Sequence, residues 1–330
     1  MKENKFTLVL VVFIIAVLIV LLVYQSFSVL KNGSNERKSI YVIVKSTEAN
    51  FDFWESVRMG AEAAAKEFNG ELIYTGSQSE ADLQEQIEIL DQAIEQKPDA
   101  IVLAAVDFKA LVPMAEKAAK RNIPLITIDS NIDSDVVKSF IATDNISASQ
   151  AAGHTMAELI NKKGKVAIVS YVQGVATAIE REKGFINAIS EYPNIEVIGI
   201  EHSNGDPQEA YRITKKIIQQ HPDIAGIFGA NQRSSEGVGR AIKEMKKNGK
   251  IKVVAFDSSE EQIQYIEGDI IQAVIVQKPF NMGYLGVKIA LQAARGKQVK
   301  ERIDTGFAII TKDNMYSPEN QKLLFPFIER

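Results

Sequence analysis

The chain has 330 residues, 46% apolar and 24% charged, with 20 Gly and 9 Pro. That balance excludes a disordered or collagen-like polymer and suits about two domains of roughly 100–200 residues each. The formal charge is −4, from 38 basic against 42 acidic side chains, which argues against a nucleic-acid binder built on phosphate contacts. There is no cysteine, so disulfides, thiolate chemistry, iron–sulfur clusters and a lipid-bearing Cys are excluded within these residues. The three histidines, His154, His202 and His221, do not stand at metal-ligand spacing. Neither a metal nor a cofactor is expected.

Residues 6–24 read FTLVLVVFIIAVLIVLLVY, apolar apart from Thr7. At about 1.5 Å per helical residue this run spans roughly 28 Å, close to the hydrocarbon thickness of a bilayer. It exceeds the usual h-region of a signal peptide, and the nearest small-x-small site, Ser26-Phe27-Ser28, is weak. The expectation is a single-pass transmembrane anchor (or uncleaved signal) over 6–24, a cytoplasmic tail over 1–5 and a polar linker over 25–38. Lys2 and Lys5 in the short tail favour tail-in, domain-out.

From residue 39 short β-branched runs alternate with amphipathic stretches. Strands are predicted at 40–44, 71–74, 100–104, 125–129 and 140–142, with helices at 53–68, 82–96 and 109–121. Runs such as IVLAAV and PLITID are apolar on both faces, as parallel strands covered by helices on each side require. The pattern restarts with strands at 165–169, 197–200, 224–228, 253–257 and 273–276 and helices near 148–162, 179–190, 207–220 and 234–248. QKPDAIVLAAV (96–106) echoes QHPDIAGIFGA (220–230), and IPLITIDS (123–130) echoes IKVVAFDSS (251–259). The fold class is therefore α/β, with two doubly wound parallel-sheet lobes.

Open α/β sheets bind ligands outside the carboxyl ends of their strands. Asp129 and Asp257 occupy equivalent strand ends, one per lobe, and would point into a shared cleft; the alternative is that each caps the following turn. Phe51, Phe53 and Trp54 lie at a loop-to-helix junction on the same side as Asp129. Arg181 opens a helix, Asn231 ends the run IFGAN and Gln277 ends AVIVQ. Aromatic faces with Asp, Asn, Gln and Arg match a neutral polyhydroxylated ligand, because each buried hydroxyl needs a partner.

The segments STEANFDFWESVRMGAEAAAKEF, NIPLITIDS, IATDNISASQAAG, EREKGF, IFGANQRSSEGVGRAI, VVAFDSSEE and AVIVQKPFNMG occur in that order between residues 46 and 283. In them the chain resembles the type I periplasmic sugar-binding proteins, in the ribose-binding-like branch. The resemblance implies stacking by Phe53 and Trp54 and polar contacts from Asp129, Arg181, Asn231, Asp257 and Gln277. Ser46 and Asp107, at neighbouring strand ends, are further implied contacts. Three positions depart from the ribose-binding pattern: Ser130 stands in place of Arg, Ala105 in place of Asn, and Asn204-Gly205 where an aromatic is expected. The implied ligand is thus a monosaccharide (pentose or hexose) or related polyol, not specifically ribose. The resemblance also implies three crossings between lobes, near Asp144-Asn145, Gln277-Lys278 and Thr305. Lobe 1 would comprise 39–143 with 278–305, and lobe 2 would comprise 144–277 with 306–330.

No Walker loop or nucleophile elbow is present, and Gly237-Val238-Gly239 lies inside a helical pattern, so an enzyme is not expected. A helix-turn-helix headpiece would need the place that residues 6–24 occupy. The expected protein is extracytoplasmic and membrane-anchored, monomeric without its partner, and closes on a monosaccharide by hinge motion. It would present the loaded form to a sensor histidine kinase or to an ABC permease. A non-sugar small polar ligand, or a cleaved soluble uptake protein, are the alternatives.

Overall fold

A computed structural model of the chain describes residues 15–21, 37–49 and 51–324. The tail 1–5, most of the apolar run 6–24, most of the linker 25–38 and residues 325–330 lie outside the described residues. Residues 15–21 are helical and exposed. Among the described residues no helix is long and apolar enough to cross a membrane.

Strands and helices alternate as β1 (Lys38–Val44), α1 (Asp52–Glu67), β2 (Gly70–Gly76), α2 (Leu83–Glu95), β3 (Ala100–Leu103), α3 (Val112–Lys120), β4 (Leu125–Ile128) and β5 (Val137–Ala142). The pattern repeats as α4 (Asn145–Leu159), β6 (Gly164–Ser170), α5 (Ala176–Ile189), β7 (Ile195–His202), α6 (Pro207–Gln220), β8 (Ile224–Gly229), α7 (Gln232–Glu244), β9 (Lys252–Phe256), α8 (Glu260–Glu267) and β10 (Ala273–Val276). Then follow α9 (Pro279–Ala294), β11 (Arg302–Asp304), β12 (Ala308–Ile310) and α10 (Pro318–Leu324).

Two six-stranded sheets result, ordered β11-β5-β4-β3-β1-β2 and β12-β10-β9-β8-β6-β7. Read from their first strands, both follow the same doubly wound order, so the sequence echo between halves is an echo of topology. The pairs β11–β5, β5–β4, β4–β3 and β3–β1 of the first sheet and β10–β9, β9–β8, β8–β6 and β6–β7 of the second are parallel, while β12 runs antiparallel to β10. Strands β3, β4 and β10 are buried throughout, whereas the edge strand β7 has no buried residue. Alternate side chains feed opposite layers: Ile40, Val42 and Val44 pack with α1 and α9, and Ile43 packs with α2 and α3. The second sheet is covered on both faces in the same manner.

The chain passes between the sheets three times: after β5, after β10 and between β11 and β12. Sequence periodicity marked neither β11 nor β12, each of three residues, because so short a run shows no alternation. It also missed α9, whose PFNMGYLGVKIALQAA is apolar over most of its circumference and carries two glycines. The tertiary structure accounts for the first of them, Gly283, and for Gly60 on α1. Helix α9 crosses α1 so closely that a Cβ on Gly283 would lie 1.9 Å from the Val57 carbonyl oxygen, and one on Gly60 would lie 2.0 Å from that of Phe280. Both obstacles are backbone, so a side chain there must push the helices apart. Gly283→Val is expected to destabilise the folded chain by about 1–3 kcal/mol or more, as an overpacked contact does. An unchanged urea midpoint would contradict this account of the crossing.

Candidate functional site

Predicted strands 125–129 and 253–257 each stop one residue early, at Ile128 and Phe256. The cause is backbone geometry: Asp129 and Asp257 have φ of 58° and 66°, in the left-handed region that a strand cannot continue through. Each still donates its N–H to the neighbouring strand, Asp129 to the Ile141 carbonyl (3.0 Å) and Asp257 to that of Ile275 (2.8 Å). This matched pair of turns aims one carboxylate from each lobe at the space between the sheets. Strain at such positions persists where the surroundings over-determine it, commonly at ligand sites.

Seven of the nine sequence-predicted residues line one polar cavity: Phe53, Trp54, Asp129, Arg181, Asn231, Asp257 and Gln277. Ser46 and Asp107 do not. The Ser46 hydroxyl donates to the Gln78 carbonyl and accepts the Glu48 N–H, while Asp107 accepts the N–H groups of Lys109 and Ala110. Both side chains hold turns. Sequence reading missed Lys45, Glu80, Tyr171 and Thr177 as cavity walls. Lys45 follows β1 directly and could have been found as a charge ending an apolar strand; Glu80 sits in a polar loop with no such signal.

On the lobe 1 side, Lys45 is 2% exposed and its Nζ lies 2.6 Å from Asp129 Oδ2. It also donates across the cleft to Thr177 Oγ1 (3.3 Å), which accepts the Tyr171 hydroxyl at 2.6 Å. The Lys45 ammonium stands 5.7 Å from the Trp54 ring centroid. Phe53 and Trp54 meet edge to face at 4.9 Å, and Trp54 Nε1 donates to Glu80 Oε1 at 3.0 Å. Phe51, Phe53 and Trp54 all belong to the apolar cluster under α1 while also walling the cavity, so they serve packing and lining together.

On the lobe 2 side, Arg181 donates to Asn145 Oδ1 and to the Ala230 carbonyl, both at 2.9 Å, and lies 3.8 Å from Asp257 Oδ2. Its guanidinium covers the Phe256 ring at 3.8 Å. Asp257 accepts Gln277 Nε2 at 2.6 Å and the Gln232 N–H at 3.0 Å. Asn231 caps α7 by accepting the Ser234 N–H, so capping and lining fall on one residue. Burial pushes the Asp257 carboxyl above the usual carboxylate range, against the pull of Arg181 and Gln277. Burial likewise raises Glu80, opposed by the charge of Lys45.

The lobes touch at the cavity rim, where Arg233 pairs with Glu48 (3.2 Å) and covers the Phe51 ring (4.7 Å), and the Phe53 N–H reaches Gln232 Oε1 (3.3 Å). Inside, the free volume is only about 10 Å³, room for no more than one water molecule. Two polar atoms of the wall, Glu80 Oε2 and Gln277 Oε1, are buried without a hydrogen-bond partner, an arrangement that costs about 1–3 kcal/mol per group unless something fills it. Among the described residues no cluster of three or more His, Cys, Asp or Glu could hold a metal. What the arrangement offers is a shell of donors and acceptors, edged by aromatics, with one ion pair on each side, Lys45–Asp129 and Arg181–Asp257.

Comparison with known proteins agrees with this geometry. Residues 40–298 match the model of the periplasmic binding protein domain. The ribose import binding protein of Bacillus subtilis is 25% identical over 281 residues, 85% of this chain and 90% of the relative. The D-allose-binding periplasmic protein of Escherichia coli is 27% identical over 267 residues, 78% of this chain and 86% of the relative. Among solved structures, a carbohydrate transporter solute binding protein of Agrobacterium radiobacter in complex with D-arabinose aligns with TM-score 0.85 and 34% identity. It covers 88% of this chain and 100% of its own. A sugar transporter of Clostridium phytofermentans aligns with TM-score 0.79 and 38% identity, over 84% of this chain and 100% of its own. The family match covers residues 40–298 and the structural matches cover 84–88% of the chain, so the chain belongs to the periplasmic binding protein domain family, whose members bind solutes rather than transform them.

Proposed function

We propose that this protein captures a monosaccharide, a pentose or hexose, outside the cytoplasmic membrane and delivers it to an ABC importer. The observation that carries the reading is the cavity between the lobes. Paired acids and bases, an unpartnered amide oxygen on Gln277 and an unpartnered carboxyl oxygen on Glu80 face a space walled by Phe53 and Trp54. A sugar presents apolar C–H faces for the rings and hydroxyls for the orphaned oxygens. Phe53, Trp54, Asp129, Arg181, Asn231, Asp257 and Gln277 are its proposed contacts, with Lys45 and Thr177 bridging beside them. The similarity to ribose, allose and arabinose binders supports a small sugar. A cavity of about 10 Å³ admits no sugar, so lobe 1 (39–143 with 278–305) and lobe 2 (144–277 with 306–330) must part and reclose about their three connections. The bound state is favoured because ligand bridges both lobes only when they are shut.

Titration calorimetry of the full chain in detergent against D-ribose, D-arabinose, D-allose and D-galactose tests the reading. Saturable binding of at least one is expected, and silence across pentoses and hexoses overturns it. Trp54, the only tryptophan, should report the event. Its indole walls the cavity, so its emission is expected to shift at saturation; an unchanged spectrum would place it outside the contact shell.

The apolar run 6–24 favours membrane tethering through that segment, and with it a second reading. An anchored, sugar-loaded protein can dock on the extracytoplasmic part of a sensor histidine kinase. Affinity capture from membranes with the sugar present separates the two: permease and ATPase subunits support import, and a histidine kinase without them supports sensing.

A further inference from the structure

The charge inventory of the cavity is uneven. Three acids, Glu80, Asp129 and Asp257, face two bases, Lys45 and Arg181. Lys45 is matched with Asp129 at 2.6 Å and Arg181 with Asp257 at 3.8 Å. Glu80 is the remainder. It is 7% exposed, its Oε1 accepts the indole N–H of Trp54, and its Oε2 is buried without any partner. The backbone of the Asn204-Gly205 turn of lobe 2 passes close by, with a Cβ built on Gly205 standing 4.0 Å from that same oxygen. Glu80 therefore reaches the seam between the lobes from the first of them, and it carries an unused hydrogen-bonding atom there.

We propose that Glu80 is a specificity-determining residue of this site: its Oε2 meets a hydroxyl of the bound sugar, and the carboxyl contributes the proton of that hydrogen bond. This rests on the sugar-binding reading above and adds to it which wall reads that hydroxyl and in which protonation state. Ionised, Glu80 would place an unmatched negative charge in a closed, water-poor cavity. Protonated, it leaves two balanced ion pairs around a neutral ligand, which is the less costly arrangement. The groups facing it from the surrounding elements are Lys45 after β1, Trp54 on α1, Asp129 after β4, Tyr171 after β6, Arg181 on α5 and Asp257 after β9. Burial raises its affinity for a proton, Lys45 lowers it, and the two aspartates raise it again. A tryptophan N–H can donate to either protonation state, so Oε1 stays satisfied while Oε2 holds the proton.

If only the protonated carboxyl binds well, sugar affinity is constant at acid pH. It falls by about tenfold per pH unit once pH rises above the carboxyl's pKa in the free protein. Glu80→Gln substitutes a neutral group that offers an N–H at the same place and keeps an acceptor for Trp54. Glu80→Ala removes both.

The experiment is calorimetry of the full chain between pH 5 and 9, using whichever of D-ribose, D-arabinose, D-allose and D-galactose the wild type binds. D-Galactosamine and D-glucosamine serve as cationic probes, and circular dichroism checks that each variant is folded. The wild type should lose affinity as pH rises. Glu80→Gln should bind within about threefold of the wild type at pH 5 with a flat profile. Glu80→Ala should bind at least about tenfold more weakly, as expected for a lost buried hydrogen bond. Wild-type affinity in Glu80→Ala, or a wild-type profile as flat as that of Glu80→Gln, overturns the proposal while leaving sugar binding intact. Tighter binding of an amino sugar than of the neutral sugars, abolished by Glu80→Gln, also overturns it, because Glu80 would then act as an anion. If no sugar binds the wild type, the functional reading itself falls and this inference with it.

Discussion

Arg181→Ala should weaken sugar binding severely and remove a large share of the protein's stability. Arg181 is 2% exposed and supplies the only ion-pair partner of Asp257 among the described residues, while holding Asn145 and the Ala230 carbonyl. Truncating one member of a buried charge pair costs about 3–5 kcal/mol, mostly because the survivor is left uncompensated. The binding loss should reach about 2–5 kcal/mol, or roughly 30-fold and beyond. The defect should depend on pH in a definite direction. Burial already holds Asp257 above the ordinary carboxylate range, and Arg181 is the main group pulling it down. Without Arg181 the folded-state pKa rises further above the unfolded value. The stability of the variant is then fully present below the unfolded pKa and is lost as pH rises through the folded one. Urea titrations at pH 4 and pH 8 should show the variant closest to wild type at the acid end. Adding Asp257→Asn should recover part of the loss at pH 8. A deficit equal at both pH values would mean that the hydrogen bonds of Arg181, not its charge, matter most.

The Lys45–Asp129 pair should give the second large effect, in lobe 1. Both groups are almost fully buried, at 2% and 3% exposure, with Nζ and Oδ2 2.6 Å apart. Lys45→Met keeps the apolar stem as far as Cε, removes the charge and strands Asp129 opposite Glu80. Destabilisation of about 3–5 kcal/mol is expected. Asp129→Asn in the same background should restore much of it, since a neutral amide no longer needs a cation. The double-mutant cycle measures the coupling directly, and a value near zero would show that solvent screens the pair. Because Lys45 also reaches Thr177 of the opposite lobe, Lys45→Met should further weaken closure. With a binding sugar at hand, its affinity should drop more than that of Thr177→Val, which removes the same cross-lobe bond without stranding a charge.

These two pairs differ in how visible they were beforehand. Asp129 and Asp257 announced themselves because each ends an apolar run with Asp-Ser, in segments that echo one another. The strand supplies direction, the carboxyl end supplies the side of the sheet, and the repeat supplies the second copy. Asn231 and Gln277 were legible for the same reason: each is polar and closely follows a strand that cannot bury it on either face, whereas Arg181 was read from the helix that follows β6. Glu80 and Thr177 gave no such signal. Glu80 lies in SQSEADLQ, which by composition is a solvated loop, and only the approach of lobe 2 buries it. Ser46 and Asp107 are the converse case. They stand at strand ends on the correct side, yet their short side chains are taken up by turn N–H groups and carbonyls.

Local sequence determined the alternation of strands and helices, the doubling of the α/β unit, and the side on which polar strand ends gather, because hydrophobic period and turn chemistry act over a few residues. Tertiary structure alone decided three things. It placed α9 on the first sheet through glycines whose necessity shows only at the crossing with α1. It gave each sheet a sixth, three-residue strand too short to carry a pattern. And it brought two sets of charges, one paired within each lobe, into one nearly dry space, where the burial of the one carboxyl left over depends on both lobes together.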